Sequence, residues 1–153
     1  FSPLTNLLYI TGKNAAVSFT VQPVGDTLRQ GQGTNIGHDK SINEGPFRAN
    51  DVGVPNRETV TAYHPGSGEL VWQVEFPSPT SIGSTGNFVT AGNLVFQGSE
   101  SGVFYAFDAR NGKQLFSYKA PRAIRTSPLT YKVGGKQYVT VVASNAVVTL
   151  GLP

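Results

Sequence analysis

A chain of 153 residues with 18 glycines, 10 prolines and only 14% charged residues is long enough for one domain with a real core, and too poor in charge for long salt-bridged surface helices. The net charge of +3 is spread over twelve scattered Lys and Arg, with no basic run or basic helix, which argues against nucleic-acid binding. There is no cysteine, so no disulfide and no thiolate metal site, and no apolar stretch approaches the length of a membrane span.

The hydrophobic runs are short and rich in Val, Phe, Tyr and Thr, which predicts an all-β chain. The opening FSPLTNLLYI lacks a basic region followed by an apolar one, so it is not read as a signal peptide. It enters a strand at 7–11 and has no initiating Met, a start expected of the middle of a larger product. Residues 22–57 are rich in Gly, Asn and Pro without periodicity, an insertion that is either functional or a tolerated surface excursion. Within it His38, Asp39 and Glu44 match no metal-binding spacing, and Gly31 and Gly33 sit in no strand–turn–helix unit. Neither a metal nor a dinucleotide is expected there. Strands resume at 59–63 and 70–75.

From here the chain repeats itself. Residues 62–72 read AYHPGSGELVW and residues 106–116 read AFDARNGKQLF, so that Ala62 and Ala106, Gly68 and Gly112, and Trp72 and Phe116 are each 44 positions apart. In the second copy Asp108 is placed to cap the next turn, Asn111 and Gly112 tolerate positive φ and close a tight hairpin, and 113–116 returns as a strand. In the first copy Ser67 and Gly68 make the turn, and His64 takes the Asp place. Between the copies, 86–96 reads as strand, Gly92–Asn93 turn, strand, and 99–102 turns into 103–107. Four strands in succession therefore occupy 84–119. A last set starts near 123–128, turns at Gly134 and Gly135, continues through 137–143, and ends with 147–150. A period in the low-to-mid forties filled with short strands is the signature of a propeller blade.

The pattern Ala-x-Asp-x-x-(Thr/Asn/Ser)-Gly-(Lys/Glu)-x-x-(Trp/Phe) resembles the tryptophan-docking motif of the quinoprotein alcohol dehydrogenases. In that family each blade repeats it, and the Trp packs between neighbouring blades. NFVTAGNLVFQGSESGVFYAFDARNGKQLF is similar to the family's penultimate blade, and AIRTSPLTYKVGGKQYVTVVAS, closing on GLP, to its last one. The likeness covers 1–12 and 59–153.

The resemblance implies the C-terminal part of an eight-bladed propeller dependent on pyrroloquinoline quinone (PQQ), with PQQ and calcium bound over the axis in the parent and an alcohol as substrate. The expected organisation is one partial propeller domain, with a first blade at 1–83, a complete four-stranded blade at 84–119 and an incomplete last blade at 120–153. The cofactor-rim positions it implies are Ser84 and Thr85, at the place where some members carry a Trp beneath the quinone, and Ser144 and Asn145, in the last-blade loop whose backbone approaches the cofactor. No catalytic residue and no metal ligand is expected in this stretch. Trp72, the only Trp, is read as a structural residue between blades, Asp108 as a turn-capping carboxylate rather than a base, and His64 as a turn residue. No Ser/His/Asp set can be placed. The chain alone is expected to be inactive, exported or periplasmic in origin, and to need missing propeller blades or self-association. The alternative is a non-catalytic propeller scaffold for protein–protein interaction.

Overall fold

The computed structural model describes residues 1–16, 54–79 and 85–151. Ten strands run in order through them: β1 Leu8–Asn14, β2 Arg57–Tyr63, β3 Leu70–Pro77, β4 Asn87–Val89, β5 Leu94–Gln97, β6 Val103–Asp108, β7 Gln114–Lys119, β8 Leu129–Val133, β9 Lys136–Ala143 and β10 Ala146–Gly151. They form three antiparallel sheets, ordered β1-β2-β3, β4-β5-β6-β7 and β10-β9-β8. The expected insertion at 22–57 falls mostly outside the described residues. Its last residues belong to the fold, since β2 begins at Arg57 and Asn56 is buried.

The middle sheet explains why its strands read as nearly continuous apolar runs. Alternation along a strand sends successive side chains to opposite faces. Val89, Val95, Tyr105 and Phe107 go to one face, where they meet Tyr9, Val60, Trp72 and Phe76 of the first sheet. Phe88, Phe96, Phe104 and Ala106 go to the other, where they meet Ile124, Val139, Val141 and Ala143 of the third. A sheet covered on both faces needs apolar residues at both parities. Three antiparallel sheets packed face to face, with strands in simple meander order, are successive blades of a partial β-propeller.

The 44-residue period is visible bond by bond. A register shift lies between Ala62 and Tyr63 in the first sheet and between Ala106 and Phe107 in the second. Gly68 N donates to His64 O at 2.8 Å, and Gly112 N donates to Asp108 O at 2.9 Å. Glu69 N donates to Ser67 Oγ, as Lys113 N donates to Asn111 Oδ1. The turn itself differs from the two-residue hairpin expected at Asn111 and Gly112. Asp108 N donates to Lys113 O, so four residues are looped out, and only Gly112 has positive φ (71°). A single left-handed residue closing a longer loop suits Gly, and Asn111 acts through its side chain. In the third sheet Gly134 and Gly135 both have positive φ, the I′ pattern that matches strand twist.

Trp72 and Phe116 hold the same register position, opposite Ala62 and Ala106. Their surroundings differ. Trp72 is 8% exposed, and its Nε1 donates at 2.9 Å to Ala109 O in the β6–β7 turn of the next sheet. Phe116 is 47% exposed. Advancing the β6–β7 turn by 44 positions gives 153–156, past the last described residue, so no equivalent turn among the described residues receives Phe116.

Candidate functional site

Chain direction defines two ends of the sheets. The β2–β3 and β6–β7 turns lie at one end. At the other lie the start of β4, the β5–β6 turn, the segment before β8 and the β9–β10 turn. Cross-sheet bonds hold this second end together. Ile124 N donates to Ser99 O in the β5–β6 turn at 3.0 Å, and Ile124 forms a bridge with Ala143, the last residue of β9.

The four residues expected on a cofactor rim sort as follows. Ser84 lies outside the described residues. Thr85 is buried and its hydroxyl receives a hydrogen bond from the buried Gln97 amide, which also donates to Gly98 O at 2.7 Å. Gln97 Oε1 in turn accepts from Thr11 at 2.9 Å, and Thr11 accepts from Asn87 at 3.0 Å. Ser144 and Asn145 form the exposed two-residue turn between β9 and β10. Ser144 has φ of 60° and Asn145 is not left-handed, the pattern of a II′ turn, whose first position ordinarily favours Gly. The direct Ile124 contacts bring the β9–β10 turn and the β5–β6 turn to the end where Thr85 sits, although no hydrogen bond joins Thr85 to Ser144 or Asn145.

A charged cluster at this same end is absent from the sequence-level expectations. Glu58 and Glu100 are both buried. Lys13 Nζ lies 2.5 Å from Glu100 Oε2 and 4.0 Å from Glu58 Oε1, and Arg125 Nε lies 3.1 Å from Glu100 Oε1. Glu100 N donates to both oxygens of Glu58, at 3.1 and 3.2 Å. Burial pushes the Glu58 carboxyl above its ordinary value, against the lowering effect of these hydrogen bonds and of Lys13. The cluster draws on all three sheets. No sequence signal joins Glu58 to Glu100, because the period carries Glu58 to Gly102 and Glu100 back to Asn56.

At the opposite end Asp108 behaves as a turn carboxylate. It accepts from Arg110 Nε and Arg110 N at 2.9 Å and pairs with Arg110 Nη2 at 2.6 Å. The Arg110 side chain, followed by its backbone N–H, lowers the Asp108 pKa to about 2, too acidic for a general base near neutrality. His64 makes the equivalent turn and lines a shallow cleft of about 280 Å³ with Leu4, Val71 and Arg110. Among the described residues no group of three or more His, Cys, Asp or Glu could hold a metal ion. His38, Asp39 and Glu44, like Gly31 and Gly33, lie outside them.

Known proteins resemble this chain in sequence and fold. Residues 65–139 match the family described as PQQ: Glucose/ethanol/alcohol dehydrogenase, beta-propeller domain. The dehydrogenase subunit of a quinone alcohol dehydrogenase from Gluconacetobacter polyoxogenes is 33% identical over 92% of this chain, which spans 19% of that relative. A 1-butanol dehydrogenase (cytochrome c) from Thauera butanivorans is 34% identical over 92% of this chain and 20% of its own length. The solved quinohemoprotein alcohol dehydrogenase from Comamonas testosteroni superposes with a TM-score of 0.67 at 26% identity, covering 97% of this chain and 22% of that one. The chain thus spans about a fifth of the length of the relatives it matches. Fold and site together define a segment of a β-propeller. This chain belongs to the quinoprotein alcohol dehydrogenase-like propellers.

Proposed function

We propose that the chain is the C-terminal propeller segment of a PQQ-dependent dehydrogenase that oxidises alcohols or related substrates, where it supplies blade structure and part of the cofactor rim. The observation that carries this is the likeness to quinone-dependent alcohol dehydrogenases over 92% of the chain, at 33% and 34% identity. In this reading PQQ and calcium belong to the assembled parent, which is exported or periplasmic. Residues 1–83, 84–119 and 120–153 are its last three blades. Ser84, Thr85, Ser144 and Asn145 form this segment's share of the rim. Two features fit a polar, anionic quinone: an exposed Ser144–Asn145 turn with hydroxyl and amide donors, and a Thr85 hydroxyl oriented by Gln97. The bound quinone would supply the hydride acceptor. This chain's groups would hold and orient it.

A chimera tests the proposal. The chain is placed in the Comamonas testosteroni quinohemoprotein alcohol dehydrogenase in exchange for the matching segment, and dye reduction by added alcohol is measured with PQQ and Ca²⁺. The expected result is PQQ-dependent activity in the chimera and none in the chain alone. A chimera that folds but neither binds PQQ nor reduces dye would overturn the proposal and favour the non-catalytic scaffold.

The outer face of the third sheet supports missing blades as the partner. Leu129, Tyr131 and Val133 alternate along β8, and Val142 and Val147 pair across β9 and β10; all five are exposed on one face. Exposed apolar side chains gathered on one sheet face mark an interaction surface. Without the other blades, the chain is expected to sediment as a dimer or larger species at micromolar concentration. A clean monomer would count against self-association.

A further inference from the structure

We propose that Glu58 carries a proton in a Glu58–Ser78–Glu100 hydrogen-bond chain, and that this proton makes the joint between the three sheets pH-dependent. The inference does not depend on the PQQ proposal.

The geometry points to a shared proton. Ser78 Oγ lies 3.1 Å from Glu58 Oε1 and 3.3 Å from Glu100 Oε2. A hydroxyl has one proton, so it cannot donate to two ionised carboxylates at once. With one carboxyl protonated the chain closes: that acid donates to Ser78 Oγ, and Ser78 donates to the other oxygen. Both Glu side chains are removed from water, where two neighbouring anions are costly.

The surrounding charges decide which carboxyl holds the proton. Glu100 receives Lys13 from β1 at 2.5 Å and Arg125 from the segment before β8 at 3.1 Å, so it is the anion. Glu58 has Lys13 only at 4.0 Å, and its strongest direct donor is the neutral Glu100 N–H. Tyr105 on β6 faces Glu58 as well, and its phenol is raised first by burial and then by the Glu58 charge. Protonation at Oε1 leaves Oε2 to accept from Glu100 N at 3.2 Å, which satisfies every group in the chain.

The consequence is mechanical. Glu58 lies in β2 of the first sheet and Ser78 just past the end of its β3, Glu100 lies in the β5–β6 turn of the second, and Arg125 leads into the third. Loss of the proton sets two buried carboxylates against each other across the first and second sheets. That loosens the end of the propeller where Thr85 and the Ser144–Asn145 turn lie.

The linkage has a definite sign. The folded-state value of Glu58 is raised above the ordinary 4.5, so its contribution is fully present below pH 4.5 and is lost as pH rises through the folded value. Infrared difference spectra of wild type against Glu58→Gln test this directly. A protonated-carboxyl stretch belonging to Glu58 should persist above pH 4.5 and disappear only at higher pH. Its loss at or below pH 4.5, together with the ordinary carboxyls, would overturn the proposal. Glutamine mimics the protonated acid, donating to Ser78 and accepting from Glu100 N. Its urea midpoint should therefore match wild type in acid and exceed it toward neutrality. The wild-type urea midpoint, read at fixed protein concentration, needs no variant and should fall as pH rises over the same window. A flat or rising profile there would also overturn it. Glu100→Gln removes the neighbouring anion and should shift the Glu58 titration toward 4.5.

Discussion

Trp72→Ala is expected to destabilise the chain by about 3–5 kcal/mol, the range for deleting a buried large aromatic. The indole packs on the next sheet as well as on its own. It tilts against Tyr9 with ring centroids 5.8 Å apart, and its Nε1–H reaches Ala109 O, a carbonyl that also accepts from Tyr9 Oη at 3.0 Å. Removing the indole opens a cavity in the cluster that joins the first and second sheets. Trp72→Phe refills part of that space but leaves Nε1 without a replacement, and should fall between wild type and Ala. Phe116→Ala is the internal control, because it sits at the same register position but half exposed. Its expected cost is within about 0.5 kcal/mol, as for surface substitutions. Denaturant unfolding followed by circular dichroism measures all three, since Trp72 is the only tryptophan and its fluorescence is lost in two of them. Equal losses at Trp72 and Phe116 would mean that the two sites are not distinguished by what they dock against.

That contrast marks how far sequence could be taken. The strands, the positions of the turns at Gly68, Gly112 and Gly134–Gly135, and the four-stranded middle sheet were legible because each repeat unit encodes them locally, whereas the four-residue length of the Gly112 turn was not. Turn glycine and returning aromatic sit within one eleven-residue unit, which recurs 44 positions on. Burial of the returning aromatic is not local, since it depends on the turn of the following blade. Trp72 has that turn at 109–112, and Phe116 has none among the described residues. The same reason hides the Glu58–Glu100 joint. Its members come from β1, β2, the β5–β6 turn and the segment before β8, and they break the repeat instead of following it. Lys13 enters the cluster because β1 runs on to Asn14, beyond the strand end expected near 11. Of the four positions proposed for a cofactor rim, the sequence could supply only residue types at matching places. The structure adds that Thr85 is buried and held by Gln97, whereas Ser144 and Asn145 are exposed on a turn.

Gly112→Ala is expected to cost markedly more than Gly68→Ala, although the two glycines occupy the same turn with φ of 71° and 72°. Any L side chain in that left-handed conformation costs about 1–2 kcal/mol, and this should be the whole effect at Gly68, where an added Cβ would meet nothing within 4 Å. At Gly112 the added Cβ would lie 2.7 Å from Trp72 Cε3 and 2.9 Å from Trp72 Cδ2, with Val74 Cγ2 at 3.2 Å. These atoms belong to a rigid indole pinned by its hydrogen bond to Ala109, so they cannot swing aside as a flexible side-chain end would. Overpacking of that kind adds about 1–3 kcal/mol to the conformational cost. The two contributions are separable. In a Trp72→Ala background the clash at Cε3 and Cδ2 is gone, and Gly112→Ala should then cost little more than Gly68→Ala. A double-mutant cycle in which the Gly112 effect stays the same with and without the indole would show that the two residues do not meet, and that the glycine is there for its backbone alone.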